Sequence, residues 1–435
     1  MKKIIYLLAL LWPFVEPCAK LLEVDYFVLE NGLKVAVIEN HKAPVCLQML
    51  YYKTGSINDP KGKGGIAHLL EHLMFRGTKK VSGEEFNRLT DANGAENNAY
   101  TTYDETVYHE LSDISKLELM MALEADRMNG LVVDEEDFLK EREVVLQERY
   151  QRFETQPTSL FYEMMNKMLW QDQPRANPVS GSADEIVALT KKDAVEFYRK
   201  WYRPDNALLV LSGDLTGQEA RILAQKHYGK IKAEGKLAKA KKTDKPREMA
   251  TLVKMKLKNV EQPRFVSYIR LEPGSLSKQD VAALGVLMEY LAGDDTSYLY
   301  EKLVYQDKKT LGVDMGLSYD DKLGGMVVFY TTPGDKKLSP EDILKLYEQE
   351  TANGVQALDA QKVEKIKNQM LSDTVYLLEN PESAAQFVGT MLMSDYSADE
   401  IMHYDEVLQA ITLENVLEAW NKVMQSEVRL SGYLE

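Results

Sequence analysis

The sequence predicts an α+β fold that occurs twice in one chain. The first observation is an internal repeat. Asp184-Glu185-Ile186-Val187-Ala188-Leu189-Thr190, a helical pattern through Phe197, Tyr198 and Trp201, and Leu211-Ser212-Gly213-Asp214-Leu215 return in the same order later in the chain. The second copy is Asp405-Glu406-Val407-Leu408-Gln409-Ala410-Ile411-Thr412, a helical pattern with Trp420, and Leu430-Ser431-Gly432-Tyr433-Leu434. Each block reads as helix, loop, helix and an apolar strand ending in a glycine turn. The second observation is that both halves open with short alternating runs, which are strand signals, followed by helix-length apolar patterns. The third is size: 435 residues, 45% hydrophobic and 28% charged, are globular material sufficient for two cores.

Taken in order, the N-terminus differs from the rest. Lys2 and Lys3 precede the apolar run Ile4–Val15, and Glu16-Pro17-Cys18-Ala19 follows, the pattern of a secretory signal peptide over residues 1–19. A run of 12 residues rises only ~18 Å as a helix, too short for ~30 Å of hydrocarbon. Glu16 and Pro17 are bulky where a lipid-attachment signal at Cys18 needs small residues. The mature chain is therefore expected to be exported, periplasmic or secreted. No later run is apolar enough to span a membrane. With Cys18 removed, Cys46 stands alone, so the fold cannot depend on an intrachain disulfide.

Asp25–Ile38 reads as strand, Asn31-Gly32 turn and strand, and Val45–Thr54 as a further strand. Gly65–Phe75 is the first helix, and Ser82 with Glu85 reads as a capping box for the next. Phe138–Phe153 is a long amphipathic helix. Residues 20–230 form the first domain. Residues 231–250, with Lys236, Lys239, Lys241, Lys242 and Lys245, read as a solvated linker, and residues 251–435 form the second domain. Its opening strands are Thr251–Val260 and Arg264–Glu272, and its first helix is Gln279–Leu291.

The formal net charge of −15 argues against nucleic-acid binding and suits basic peptide ligands. The chemistry is concentrated in His68-Leu69-Leu70-Glu71-His72. On a helix, positions i, i+3 and i+4 project from one face, so two imidazoles can donate to one zinc ion while a carboxylate lies beside it as general base. Leu69, Leu70, Leu73, Met74 and Phe75 make this helix apolar, and buried ionisable groups must be paired or bound to metal. A third ligand is required. Glu141 and Glu148, two turns apart on one face, are both candidates: one could ligate while the other orients a histidine. His41, His109, His227 and His403 lack metal spacing and read as surface or packed histidines.

The inverted motif H-x-x-E-H, with Glu148 following His72 by 76 residues, resembles the pitrilysin or insulinase family of zinc peptidases. So do Asn31-Gly32-Leu33, Gly65-Ile66-Ala67, Asn98-Ala99-Tyr100-Thr101 and Arg203-Pro204-Asp205-Asn206-Ala207, so the resemblance covers nearly the whole chain. It implies two homologous α/β-roll domains of the mitochondrial-processing-peptidase type, forming half of a clamshell. It implies one Zn2+ per chain on His68, His72 and Glu148, with Glu71 as general base and Glu141 as a carboxylate supporting a ligand. It also implies that Asn98, Ala99 and Tyr100 form an edge strand pairing with the backbone of peptide substrates. Aligning Gly77 with Gly293 places Leu284, Leu287 and Met288 at the metal positions, so the second half is expected to be non-catalytic.

One departure stands out. Active family members carry an arginine and a tyrosine in a later domain, whereas the matching stretch holds Leu303-Val304 and Leu311-Gly312-Val313. Tyr319 and Tyr330 lie nearby and read as packing or surface residues. The resemblance then implies the zinc subunit of a heterodimer whose homologous partner supplies the missing pair, or a homodimer. The expected activity is zinc-dependent endopeptidase action on unstructured peptides. The alternatives are a catalytically silent scaffold subunit of a larger assembly and a zinc-binding accessory without hydrolysis.

Overall fold

In a computed structural model of the chain, residues 21–233, 235, 237, 249–334 and 337–435 are described. The expected signal segment 1–19, with Cys18, and residues 234, 236 and 238–248 of the expected linker lie outside them. Six strands form the first sheet: β1 (Asp25–Val28), β2 (Lys34–Glu39), β3 (Val45–Tyr52), β4 (Glu96–Thr101), β5 (Thr106–Asp113) and β6 (Ala207–Gly213). Five form the second: β7 (Met249–Met255), β8 (Arg264–Leu271), β9 (Thr310–Asp320), β10 (Gly324–Pro333) and β11 (Val428–Leu434). β7 thus begins two residues inside the segment read as linker.

The sheet orders are β1-β2-β6-β3-β5-β4 and β7-β11-β8-β10-β9. In the first, β2 and β6 are parallel, and the pairs β6–β3, β3–β5 and β5–β4 are antiparallel. The second repeats these senses: β7 and β11 are parallel and β11–β8, β8–β10 and β10–β9 antiparallel. Strand for strand, in chain order, the second sheet copies β2 to β6. This is the α+β fold present twice, and the hairpin strand β1 is the addition of the first copy.

Every residue of β6 is buried, as is all of β3 beyond Val45. Such continuous apolar strands require cover on both faces, and the cover comes from both halves of the chain. One face of the first sheet packs against its own helices, including Ile66–Met74, Leu117–Gly130 and Glu135–Arg149. The opposite face, through Ala36, Met49, Tyr51 and Val210, packs against Ala384, Ala385 and Val388 of the helix Pro381–Met393. The exchange is reciprocal. Phe161, Met165 and Leu169 of the helix Pro157–Trp170 pack against Val266, Tyr268 and Leu430 of the second sheet. Fully burying a large apolar side chain stabilises by about 1.5–3 kcal/mol, so these crossed helices fasten the halves together. Gly389 sits so close to the Tyr51 ring that a Cβ there would lie 2.4 Å from its Cζ.

Candidate metal centre

The motif helix Ile66–Met74 is held at its start and along one side. Gly65 caps it with φ 87°, where a Cβ would come within 2.3 Å of the Ser180 carbonyl. The Asp59 carboxylate accepts the Gly65 and Ala67 amides at 2.7 and 3.2 Å, fixing the first turn. Leu69, Leu70, Leu73 and Met74 are fully buried against the first sheet. The opposite stripe of the helix therefore presents His68, Glu71 and His72 together, facing the helix Glu135–Arg149.

Ligand atoms of His68, His72 and Glu148 all lie within 4.8 Å of one another. Glu148 Oε2 is 3.4 Å from His72 Nε2 and 3.7 Å from His68 Nε2. The two imidazoles stand edge to face, with centroids 4.9 Å apart. Among the described residues this is the one histidine, cysteine and carboxylate group with metal-ligating geometry. The choice between the two glutamates is visible in depth and direction. Glu141, with 4% of its side chain exposed, takes the far nitrogen of His72, with Oε2 3.2 Å from Nδ1. Glu148, 21% exposed, faces Nε2. Glu143, between them on that helix, is exposed and accepts from Gln147 instead.

The electrostatics follow from this layout. Burial, with His72 nearby, pushes His68 down to about 4, which keeps it neutral. Burial also opposes charge on His72, but its contacts with Glu141 and Glu148 prevail and raise it to about 9. The His72 contact, helped by His68 and Arg152, holds Glu148 down at about 2 despite partial burial. Burial raises Glu71, and the Thr101 hydroxyl offsets part of that rise. Burial likewise acts against charge on Glu141, outweighed by His72 and Arg76.

The residues fit a zinc ion by their own chemistry. Two imidazoles and an ionised carboxylate converge, the donor set of an open zinc site. The contact of His72 Nδ1 with Glu141 directs Nε2 toward the shared centre, the usual support for a metal-bound histidine.

Sequence reasoning missed three neighbours. Arg76 pairs with Glu141, Arg152 lies 2.7 Å from Glu148, and Thr101 Oγ1 donates to Glu71 Oε2 at 2.5 Å. The two arginines sit one turn beyond residues already singled out, a signal that was available. Thr101 lay in a quoted motif but carried no role. The Ser82 capping box forms only by half: Ser82 Oγ accepts the Glu85 amide, but the Glu85 carboxylate turns to Arg88.

Asn98, Ala99 and Tyr100 lie on β4, which ends its sheet and pairs only with β5 among the described strands. In the second half, Leu284, Leu287 and Met288 are buried in the helix Lys278–Ala292. Leu303 is buried, Leu311 is exposed on β9, and Tyr319 is held by the Leu276 amide and the Glu272 carbonyl. Tyr330 packs edge-on against Tyr162.

Residues 34–183 match the model of the insulinase family, peptidase family M16, and residues 188–370 match that of the peptidase M16 inactive domain. The chain belongs to peptidase family M16. The zinc protease PqqE of Helicobacter pylori is 29% identical over 376 residues, covering 85% of this chain and 82% of that protein. The mitochondrial-processing peptidase subunit beta of Rattus norvegicus is 30% identical over 48% of this chain, so the chain aligns with only 42% of that longer relative. In solved structures, a protease from Helicobacter pylori superposes with a TM-score of 0.85 at 24% identity, covering 95% of this chain and all of the other. The family supports a two-domain peptidase architecture, with the inactive-domain match falling where the metal positions are leucine and methionine. Among the described residues no helix is long and apolar enough to cross a membrane.

Proposed function

We propose that this chain is the zinc-bearing subunit of an exported endopeptidase that cuts unstructured peptides. The observation that carries the reading is the convergence of His68, His72 and Glu148 with Glu71 on the same helix face. His68, His72 and Glu148 would hold the ion, and Glu141 would keep His72 oriented toward it. Bound Zn2+ supplies Lewis acidity for the scissile carbonyl and makes water more acidic. Glu71 takes a proton from the attacking water and delivers it to the leaving amine as the C–N bond breaks, consuming one water per bond cut. The free edge of β4 at Asn98, Ala99 and Tyr100 would align the substrate by backbone hydrogen bonds, which favours extended peptides over any one sequence. Residues 303–304 and 311–313, where the family places an arginine and a tyrosine, supply neither, so a homologous subunit, or a second copy, is proposed to complete the site. Export rests on the basic and apolar pattern of residues 1–19.

The test is cleavage of a quenched, basic, unstructured peptide by the mature chain, alone and with candidate homologous subunits. Dialysis against a chelator should abolish cleavage, and one equivalent of zinc should restore it. Cleavage that survives full removal of metal would refute the reading. A chain that holds zinc yet cleaves nothing with any partner would favour the silent scaffold, a reading made relevant by relatives such as cytochrome b-c1 complex subunit 1.

A further inference from the structure

The general base assigned above does not stand alone. Glu71 Oε2 accepts a hydrogen bond from Thr101 Oγ1 at 2.5 Å, and Thr101 is the last residue of β4. The direction of that bond is set by its neighbours. Thr106 lies directly opposite Thr101 on β5 and spends its own hydroxyl proton on the Thr54 carbonyl at 2.9 Å. Thr106 Oγ1, 3.5 Å from Thr101 Oγ1, is thus left only as a weak acceptor. The Thr101 proton goes to the shorter, charge-assisted partner, the Glu71 carboxylate. Thr106 is fully buried, so this chain of hydroxyls is anchored in the sheet rather than in solvent.

The strand's alternation gives the arrangement its meaning. Ala99 packs on the core beneath the motif helix, and Tyr100 packs on the opposite face of the sheet beside Tyr51. Thr101 therefore points to the same side as Ala99, toward Glu71, while the backbone edge of the strand stays open. The strand proposed to seat the substrate is the strand that grips the base.

We propose that Thr101 is a positioning residue: it ties one oxygen of Glu71 to the substrate-binding edge strand and leaves Oε1 as the proton acceptor. The inference rests on the assignment of Glu71 as base, and goes beyond it by making substrate seating and base orientation one structural unit. Thr101→Val keeps shape and removes the hydroxyl; Thr101→Ser restores the hydroxyl and removes a methyl.

The experiment compares wild type, Thr101→Val, Thr101→Ser, Glu71→Gln and the Thr101→Val/Glu71→Gln double variant as full mature chains. With zinc bound and the completing subunit present, kcat and KM are measured on the quenched peptide. Without zinc, urea unfolding midpoints are measured for the same set. Thr101→Val is expected to lower kcat about 10- to 100-fold, the worth of one hydrogen bond to a charged group, with KM within about twofold and zinc content unchanged. Thr101→Ser is expected to recover most of the rate. In the metal-free proteins the midpoint shifts of Thr101→Val and Glu71→Gln should be non-additive, as they are for directly bonded groups. Unchanged kcat in Thr101→Val, or a loss that serine does not rescue, would overturn the inference. If Glu71→Gln cleaves as fast as wild type, or no form cleaves, the reading of Glu71 as base is what has failed. The metal-free midpoints then decide Thr101 separately: additive shifts overturn its hold on Glu71, and non-additive shifts sustain it.

Discussion

Replacing Glu105 with glutamine should stabilise the protein above neutral pH and leave it unchanged in acid. Glu105 closes the turn between β4 and β5, where its backbone is tied to Thr102. Burial, together with the neighbouring Asp104 charge, pushes its carboxyl up to about 7 from an ordinary 4.5, against the pull of Lys53. In the folded chain the proton is thus held more tightly than in the unfolded chain. Between about pH 4.5 and 7 the unfolded state releases it first, so stability falls as pH rises through that window and is level above it. The rise from 4.5 to about 7 corresponds to about 3 kcal/mol. Glutamine stays neutral at every pH, so Glu105→Gln should gain up to that amount at pH 8 and nothing at pH 4. Urea unfolding of wild type and variant from pH 4 to 8 reads the difference directly. Two parallel stability curves would show that the Glu105 carboxyl titrates normally and would refute the argument from burial.

Two further outcomes are expected. Glu141→Gln, which keeps the shape but removes the charge facing His72 Nδ1, should weaken zinc binding about 10- to 100-fold in chelator competition, by the usual worth of such supporting groups. Gly389→Ala places a methyl 2.4 Å from the Tyr51 ring and should cost about 1–3 kcal/mol in thermal or urea unfolding. Because it pushes apart the helix Pro381–Met393 and the first sheet, it should do so without altering zinc stoichiometry.

The candidate metal cluster and the repeat were legible in the sequence for different reasons. His68, Glu71 and His72 are local, and helical spacing alone places them on one face, as observed. The repeat was legible because order survives divergence: Leu211–Leu215 and Leu430–Leu434 lie in or just beyond the equivalent strands β6 and β11. Spacing could not separate Glu141 from Glu148, since both lie on the same helix face and what distinguishes them is the His72 nitrogen each one reaches. Nor could periodicity reveal the crossed helices. The pattern of Phe161, Met165 and Leu169 announces a buried face but not which sheet buries it, and the second sheet does. The Thr101–Glu71 bond joins residues 30 apart through the placement of β4, a tertiary fact with no local signature.

Whether Glu71 takes the proton in a zinc-dependent hydrolysis of peptides is decided by comparing kcat for wild type and Glu71→Gln when both are shown to hold one zinc per chain, with the completing subunit present. The variant is expected to lose at least about 100-fold, the lower end of what a positioned general base contributes, with zinc still bound. Equal rates in two fully loaded proteins would contradict that role for Glu71.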